Sequence, residues 1–297
     1  MLYFFKLFKN INKPSLVITY TKTISLFKNH PILMLPFFIF ACIDCLVLTI
    51  IFLAPRQPLL PFLGPIIITF WGEKFLHYPY NFLLLPKLEY FSRMGLSVVF
   101  ASLLTGMAVA MIHEAHMKKP IHLGRTFKSA MNKYVYLFIA VFFFTGLFYL
   151  ITRLVNAGLI HYFLSEGRSK SFLMTQVGLG PIILCVDFFI AMFIQAAYNY
   201  VIPTLMLENK KFFRAVTDAF LLFERLCIFT FLLVGIPLLA YIPIIIFNFN
   251  TMSLIKSFFP ELVLIISFLG IIVSDLFINP IITASATLVF LETRENS

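Results

Sequence analysis

Six stretches of this chain are each at least twenty residues long and almost wholly apolar. They fall at about 31–53, 94–113, 134–156, 180–206, 226–248 and 261–290, the first reading PILMLPFFIFACIDCLVLTIIFL. A helix of ~20 residues crosses the hydrocarbon of a bilayer. Once inside it, every backbone N–H and C=O must be satisfied within the segment or in a closed barrel. The runs are continuous rather than alternating, which excludes a barrel. Only 12% of the 297 residues are charged and 61% are hydrophobic. A soluble domain carries roughly 25% charged residues, so this composition cannot cover a water-exposed fold of the same size. The expected fold class is all-α: a polytopic membrane bundle of about six transmembrane helices, forming one integral domain over 1–297.

Between the runs lie short segments of another character. Phe212, Phe213, Val216, Ala219, Phe220 and Phe223 recur at helical spacing, with Arg214, Thr217 and Asp218 opposite. Residues 121–133 repeat the design with Leu123, Phe127, Ala130, Met131 and Tyr134 against Arg125, Lys128 and Lys133. Residues 14–29 do so with Val17, Tyr20, Ile24 and Phe27. These read as amphipathic elbows, where the chain leaves the bilayer, runs along its surface and re-enters. The proline-rich 54–92 connection, with Trp71, Tyr78 and Tyr80, suits an interfacial or re-entrant segment. SEGRSKS near 165–171 is a polar loop.

Lys and Arg number 15 in the N-terminal, elbow and C-terminal segments and 8 in the alternate connections, out of 23. By the positive-inside rule both termini and the elbows face the cytoplasm. The location implied is the plasma (inner) membrane of a prokaryote. The net charge of +10 sits between spans, so it points to anionic lipid head groups rather than nucleic acid. Lys118, Lys119, Arg125, Lys128, Lys210, Lys211 and Arg214 are the expected lipid-surface contacts.

An internal plan recurs: elbow helix, span, outer connection, span, then a glutamate. The glutamates are Glu114, Glu208 and Glu292, closing units 14–117, 118–208 and 209–293. Two-span units of this kind would be parallel repeats about the membrane normal. The even-numbered spans hold the small residues, such as Gly106, Ala196 and Ala284, which permit close helix approach. The odd ones are rich in Phe and Leu, as in FIAVFFFTGLFYL at 138–150. The even spans are therefore expected at the centre.

Carboxylates inside a membrane are costly and mark candidate sites. Asp44, Asp187 and Asp275 qualify. Asp187 and Asp275 share the small-residue spans with Gln195, Asn199 and Asn279, which together form the candidate intramembrane polar site. His113 and His116 lie three apart, not four as in a zinc helix, and lack an evident third ligand. No catalytic, metal or cofactor residue is assigned. Cys42, Cys45, Cys185 and Cys227 all lie inside apolar runs.

PTLMLENKKFFRAVTDAFLLF at the second elbow and NPIITASATLVFLETREN at the C-terminus carry a family resemblance. They resemble the membrane domain attached to some prokaryotic glycerophosphoryl diester phosphodiesterases, and related stand-alone multi-span membrane proteins of unassigned function. Phe290, Glu292 and Arg294 take the places of its closing aromatic–acidic–Arg motif. The resemblance implies a helical multi-span module, without the soluble hydrolase activity. The leading functional expectation is a non-enzymatic membrane protein that organises lipid or a partner protein, or a second copy of itself, at the inner face. The alternative is a small-solute or ion-coupled transporter using the polar residues of spans 4 and 6.

Overall fold

A computed structural model describes residues 15–165, 169, 170, 172, 178–208 and 210–295. The basic lead before residue 14 and most of the predicted 165–171 loop lie outside them. Twelve segments organise the chain. They are α1 (Leu16–Asn29), α2 (Pro31–Leu53), α3 (Leu60–Trp71), α4 (Asn81–His116), α5 (Leu123–Asn132) and α6 (Tyr134–Leu164). Then follow α7 (Leu179–Leu207), α8 (Phe212–Arg225), α9 (Cys227–Leu239), α10 (Ile242–Phe249), α11 (Thr251–Ser257) and α12 (Leu262–Glu295). No strand occurs among the described residues. Five of these, α2, α4, α6, α7 and α12, are long and apolar enough to span a bilayer, or six if the bent pair α8–α9 is counted. The protein is an all-α, polytopic membrane bundle.

Two predicted spans differ from what is observed. The second begins at Asn81, not near 94, and runs 36 residues. Pro86, Lys87, Glu89 and Arg93 interrupt the apolar run, but they are carried inside the helix. The fifth is two helices, α9 and α10, parted at Ala240 and Tyr241. Pro237 lacks an N–H and leaves the Leu233 carbonyl free of its helical partner. The Tyr20 hydroxyl of α1 donates to that carbonyl at 2.8 Å, and burial pushes the phenol up to about 12.

The elbow helices bury part of their apolar stripes, with Ala130, Ala219 and Phe223 inside, and add small residues beside them. Each buries a pair of small residues four apart: Thr19 and Thr23 on α1, Thr126 and Ala130 on α5, Ala215 and Ala219 on α8. Val17, Ile24 and Phe213 are exposed instead, Phe213 by 82%. The reason is the solvent. A large apolar side chain gains nothing by leaving lipid, whereas small residues let backbones approach. Each pair faces an even span: α1 packs on α12, α5 on α4, and α8 on the end of α7. The chain turns through 92° from α8 into α9.

The three recurrent glutamates lie on the elbow face. Glu114 pairs with Arg125 of α5 (3.0 Å) and accepts from the His122 backbone N–H ahead of that helix (3.1 Å). Glu208 pairs with Lys210 (2.8 Å), which also reaches Asp218 of α8 (2.6 Å). Those two carboxylates hold the Lys210 ammonium above its usual range, Asp218 first. Glu292 pairs with Lys22 of α1 (2.6 Å). Each glutamate thus grips the elbow helix next in order, and the last grips the first. Arg294 adds a cross-link to Glu208 (2.7 Å), and His116 lies 3.1 Å from Glu295. Lys133 donates to the carbonyls of Leu205 (3.0 Å) and Met206 (2.7 Å), capping the end of α7.

At the centre α4, α7 and α12 touch one another. Ala108, Ala196 and Ala284 are fully buried there. Outside, Phe142 and Phe143 of α6 are exposed while Phe144 turns inward. Towards the elbows the three central helices are packed solid with Met111, Ile112, Leu205, Met206, Leu288 and Val289.

Candidate functional site: a charged intramembrane cavity

Farther from the elbows the bundle is hollow. A cavity of about 790 Å³ is lined from α2, α4, α6, α7, α10 and α12. It is partly open at the surface of the bundle rather than sealed, as a ligand site is. All five residues of the candidate polar site, Asp187, Gln195, Asn199, Asp275 and Asn279, line it. Asp187 and Asp275 each sit twenty residues from the elbow-side end of their span, about 30 Å along a helix axis.

Irregular turns shape the lining. Pro203 has no N–H for the Asn199 carbonyl, and α7 breaks into a turn at Asn199 and Tyr200. Pro280 does the same to Leu276, within a π-helical stretch at Val273–Ile278 that contains Asp275. A second π-helical stretch, Ser97–Ala101, interrupts α4. Single π turns often mark functional sites, because they re-aim side chains without ending the helix. Ser97, Ala101, Ser274, Asp275 and Ile278 from these turns all face the cavity.

One wall carries a charge cluster centred on Arg93. Its Nε lies 2.8 Å from Asp44 Oδ2 and its Nη2 lies 2.7 Å from Asp275 Oδ1. The same guanidinium bonds the Ser274 hydroxyl, and Nη1 lies 3.4 Å from the Tyr241 hydroxyl in the break between α9 and α10. Asn279 Nδ2 donates to Asp275 Oδ1 at 3.0 Å. Asp44 and Asp275 are almost completely buried. Glu89, one helical turn before Arg93, is buried too, beside the buried Ser267 hydroxyl.

Across the cavity stands Asp187. Its carboxylate accepts from Asn156 Nδ2 of α6, at 3.1 and 3.3 Å. Asn199 Nδ2 and the Tyr198 hydroxyl are buried without partners. Asp187 and Asp275 thus line one cavity without bonding each other. They share a chamber, but Asp275 pairs through Arg93 with Asp44, and Asp187 has Asn156. Gln195 and Asn199 line the cavity without bonding to either carboxylate. Arg93, Glu89, Asn156 and Tyr241 are the site residues that sequence reasoning missed. The Glu89–Arg93 spacing of four, on one helical face, is the signal that could have found two of them.

The elbow-face residues are a separate set. Lys118, Lys119, Arg125, Lys128, Lys211 and Arg214 are exposed, whereas Lys210 is half-buried in its ion pairs. Among the described residues no three His, Cys, Asp or Glu side chains gather as a metal site. No protein family, characterised protein or solved structure matches the chain.

Proposed function

We propose that this protein is a small-solute transporter of the cell membrane, with its substrate held in the central cavity. The observation that carries the reading is the cavity itself. Its volume falls within the ~300–1,000 Å³ of ligand sites, and it gathers carboxylates, amides and an arginine from separate helices inside a membrane. Such groups are expensive in a bilayer, and a bundle that served only as a scaffold would fill the space with apolar side chains. Broken helices around a central site are what transporters use to expose polar backbone to a substrate. The solid packing of α4, α7 and α12 on the elbow side would act as the closed gate.

The excess of Lys and Arg on the elbow face favours placing that face and both termini in the cytoplasm. Removing the buried Arg93 from the outer eight leaves seven against fifteen. Exposed Phe213 and Phe220 beside Lys211 and Arg214 suit contact with an anionic inner leaflet. Lipid contact is in this reading the seating of the transporter. The likeness to the phosphodiesterase membrane domain adds a multi-span module and no hydrolase chemistry, and the proposal includes no catalytic step.

The test is a thermal-stability screen of the detergent-purified chain against a panel of neutral, anionic and cationic amphiphiles. Ala191 lines the cavity, and Ala191→Phe fills it. A compound that stabilises the native protein but not Ala191→Phe, and that native proteoliposomes accumulate, supports the reading. If no compound distinguishes the two proteins, the reading fails.

A further inference from the structure

The charges facing the cavity are unequal. Among the described residues its lining holds three carboxylates, Glu89, Asp187 and Asp275, and a single base, Arg93, with no lysine or histidine. Arg93 is already engaged by Asp275 and by Asp44 behind it. That leaves Glu89 and Asp187 without a cation within 4 Å among the described residues. Arg153 lies one turn before Asn156 on α6. It is turned to the surface, over the Tyr149 ring at 5.1 Å and against its hydroxyl at 3.1 Å. The Glu89 side chain lines the chamber and is buried beside the Ser267 hydroxyl of α12.

Between the two banks of acid the walls are aromatic: Phe37, Tyr90, Phe144, Phe188, Tyr198 and Phe249. A ring face attracts a cation through its quadrupole, most strongly where water is excluded. Negative charge and aromatic faces together discriminate among solutes. An anion would meet three carboxylates and a guanidinium with two carboxylates already bound. A sugar would need many converging hydrogen-bond groups, and most of this lining is apolar. A small metal ion would need a ligand cluster that the described residues do not form.

We infer that the cavity takes a lipophilic organic monocation, with Asp187 as its counter-ion and the aromatic side chains as its walls. The inference rests on the cavity being a ligand chamber and adds the sign and chemical class of the ligand. Asn156 fixes the Asp187 carboxylate in place. Asp187 is more accessible than Glu89, which is buried.

The experiment compares two ions of nearly equal shape and opposite charge. Purified full-length protein is equilibrated with radiolabelled tetraphenylphosphonium or tetraphenylborate, and saturable binding is measured. The phosphonium ion is expected to bind at least tenfold more tightly than the borate. Asp187→Asn should weaken phosphonium binding about tenfold or more while leaving the gel-filtration profile unchanged, and Glu89→Gln should weaken it less. Equal or tighter borate binding would overturn the cation class and leave a ligand chamber intact. Phosphonium affinity within twofold of native in Asp187→Asn would remove Asp187 as counter-ion. If neither ion binds while a neutral amphiphile does so in an Ala191→Phe-sensitive way, the class is wrong and the transporter reading survives. The comparison of the two ions on native protein needs no variant.

Discussion

Replacing Arg93 by alanine tests how the charge cluster is held. The guanidinium makes charge-assisted bonds to two buried carboxylates, at 2.8 Å to Asp44 and 2.7 Å to Asp275. Such a bond contributes about 1.5–3 kcal/mol. Removing one partner of a buried ion pair costs about 3–5 kcal/mol, because the other is left uncompensated. Here two acids are left facing each other, but they can take up protons and become neutral, which limits the loss. The expected destabilisation for Arg93→Ala is therefore about 3–5 kcal/mol. It would be read from SDS-driven unfolding in mixed micelles, followed by circular dichroism. Arg93→Lys should lose about half of this, since an ammonium lacks the rigid fork that meets both acids. The triple variant Arg93→Met, Asp44→Asn, Asp275→Asn removes all three charges together and should recover to within about 1–2 kcal/mol of native, as neutral replacements of buried ion networks do. A loss below about 1 kcal/mol for Arg93→Ala, or a triple variant no more stable than the single one, would refute the argument.

Four further outcomes follow from the packing and the ion pairs. A Cβ at Gly106 would lie 2.6 Å from Leu137 Cδ1, close to Met206 and Ala130 as well, so Gly106→Val should cost about 1–3 kcal/mol. Gly124 has open space around it, so Gly124→Ala should be neutral or stabilise by up to about 1 kcal/mol; the same unfolding assay reads both. Tyr200→Phe removes a 2.8 Å bond to Thr230 between fully buried hydroxyls and should cost about 1–3 kcal/mol, with Tyr200→Phe, Thr230→Val costing less than the two single changes combined. Glu208→Gln should change global stability by less than about 1 kcal/mol, since its partners are partly exposed. It should nevertheless speed amide hydrogen exchange in α8, measurable by mass spectrometry.

The spans were legible because a bilayer makes length and continuous apolarity nearly sufficient. The elbow helices were legible as helices, and their docking faces only in part. Ala130, Ala219 and Phe223 of the apolar stripes are buried, whereas Val17, Ile24, Phe213 and Phe220 are exposed, and Thr19, Thr23, Thr126 and Ala215 outside the stripes join the contact. The candidate polar residues were found through their cost inside a membrane. Their partners were not, because the Arg93–Asp275 pairing spans 182 positions and no local periodicity encodes it. Arg93 was counted with an outer connection because Pro86 and the charges around it break the apolar run, whereas the helix continues through them. The π turns at Ser97–Ala101 and Val273–Ile278 have no composition of their own. Pro280 marks a freed carbonyl near one of them, and nothing comparable marks the other.

The clasp between Lys22 and Glu292 joins residues 270 positions apart, and Thr23 meets Ser285 beside it at 2.9 Å. During synthesis the first surface helix leaves the ribosome long before its seat exists. Apart from the Tyr20 bond to α9, its seat on α12 is missing until the final span has entered the bilayer. The circuit of elbow helices therefore closes at the end of biogenesis, and a chain cut short before Ser285 leaves α1 unlatched. The fastening also brings the first described helix against the last.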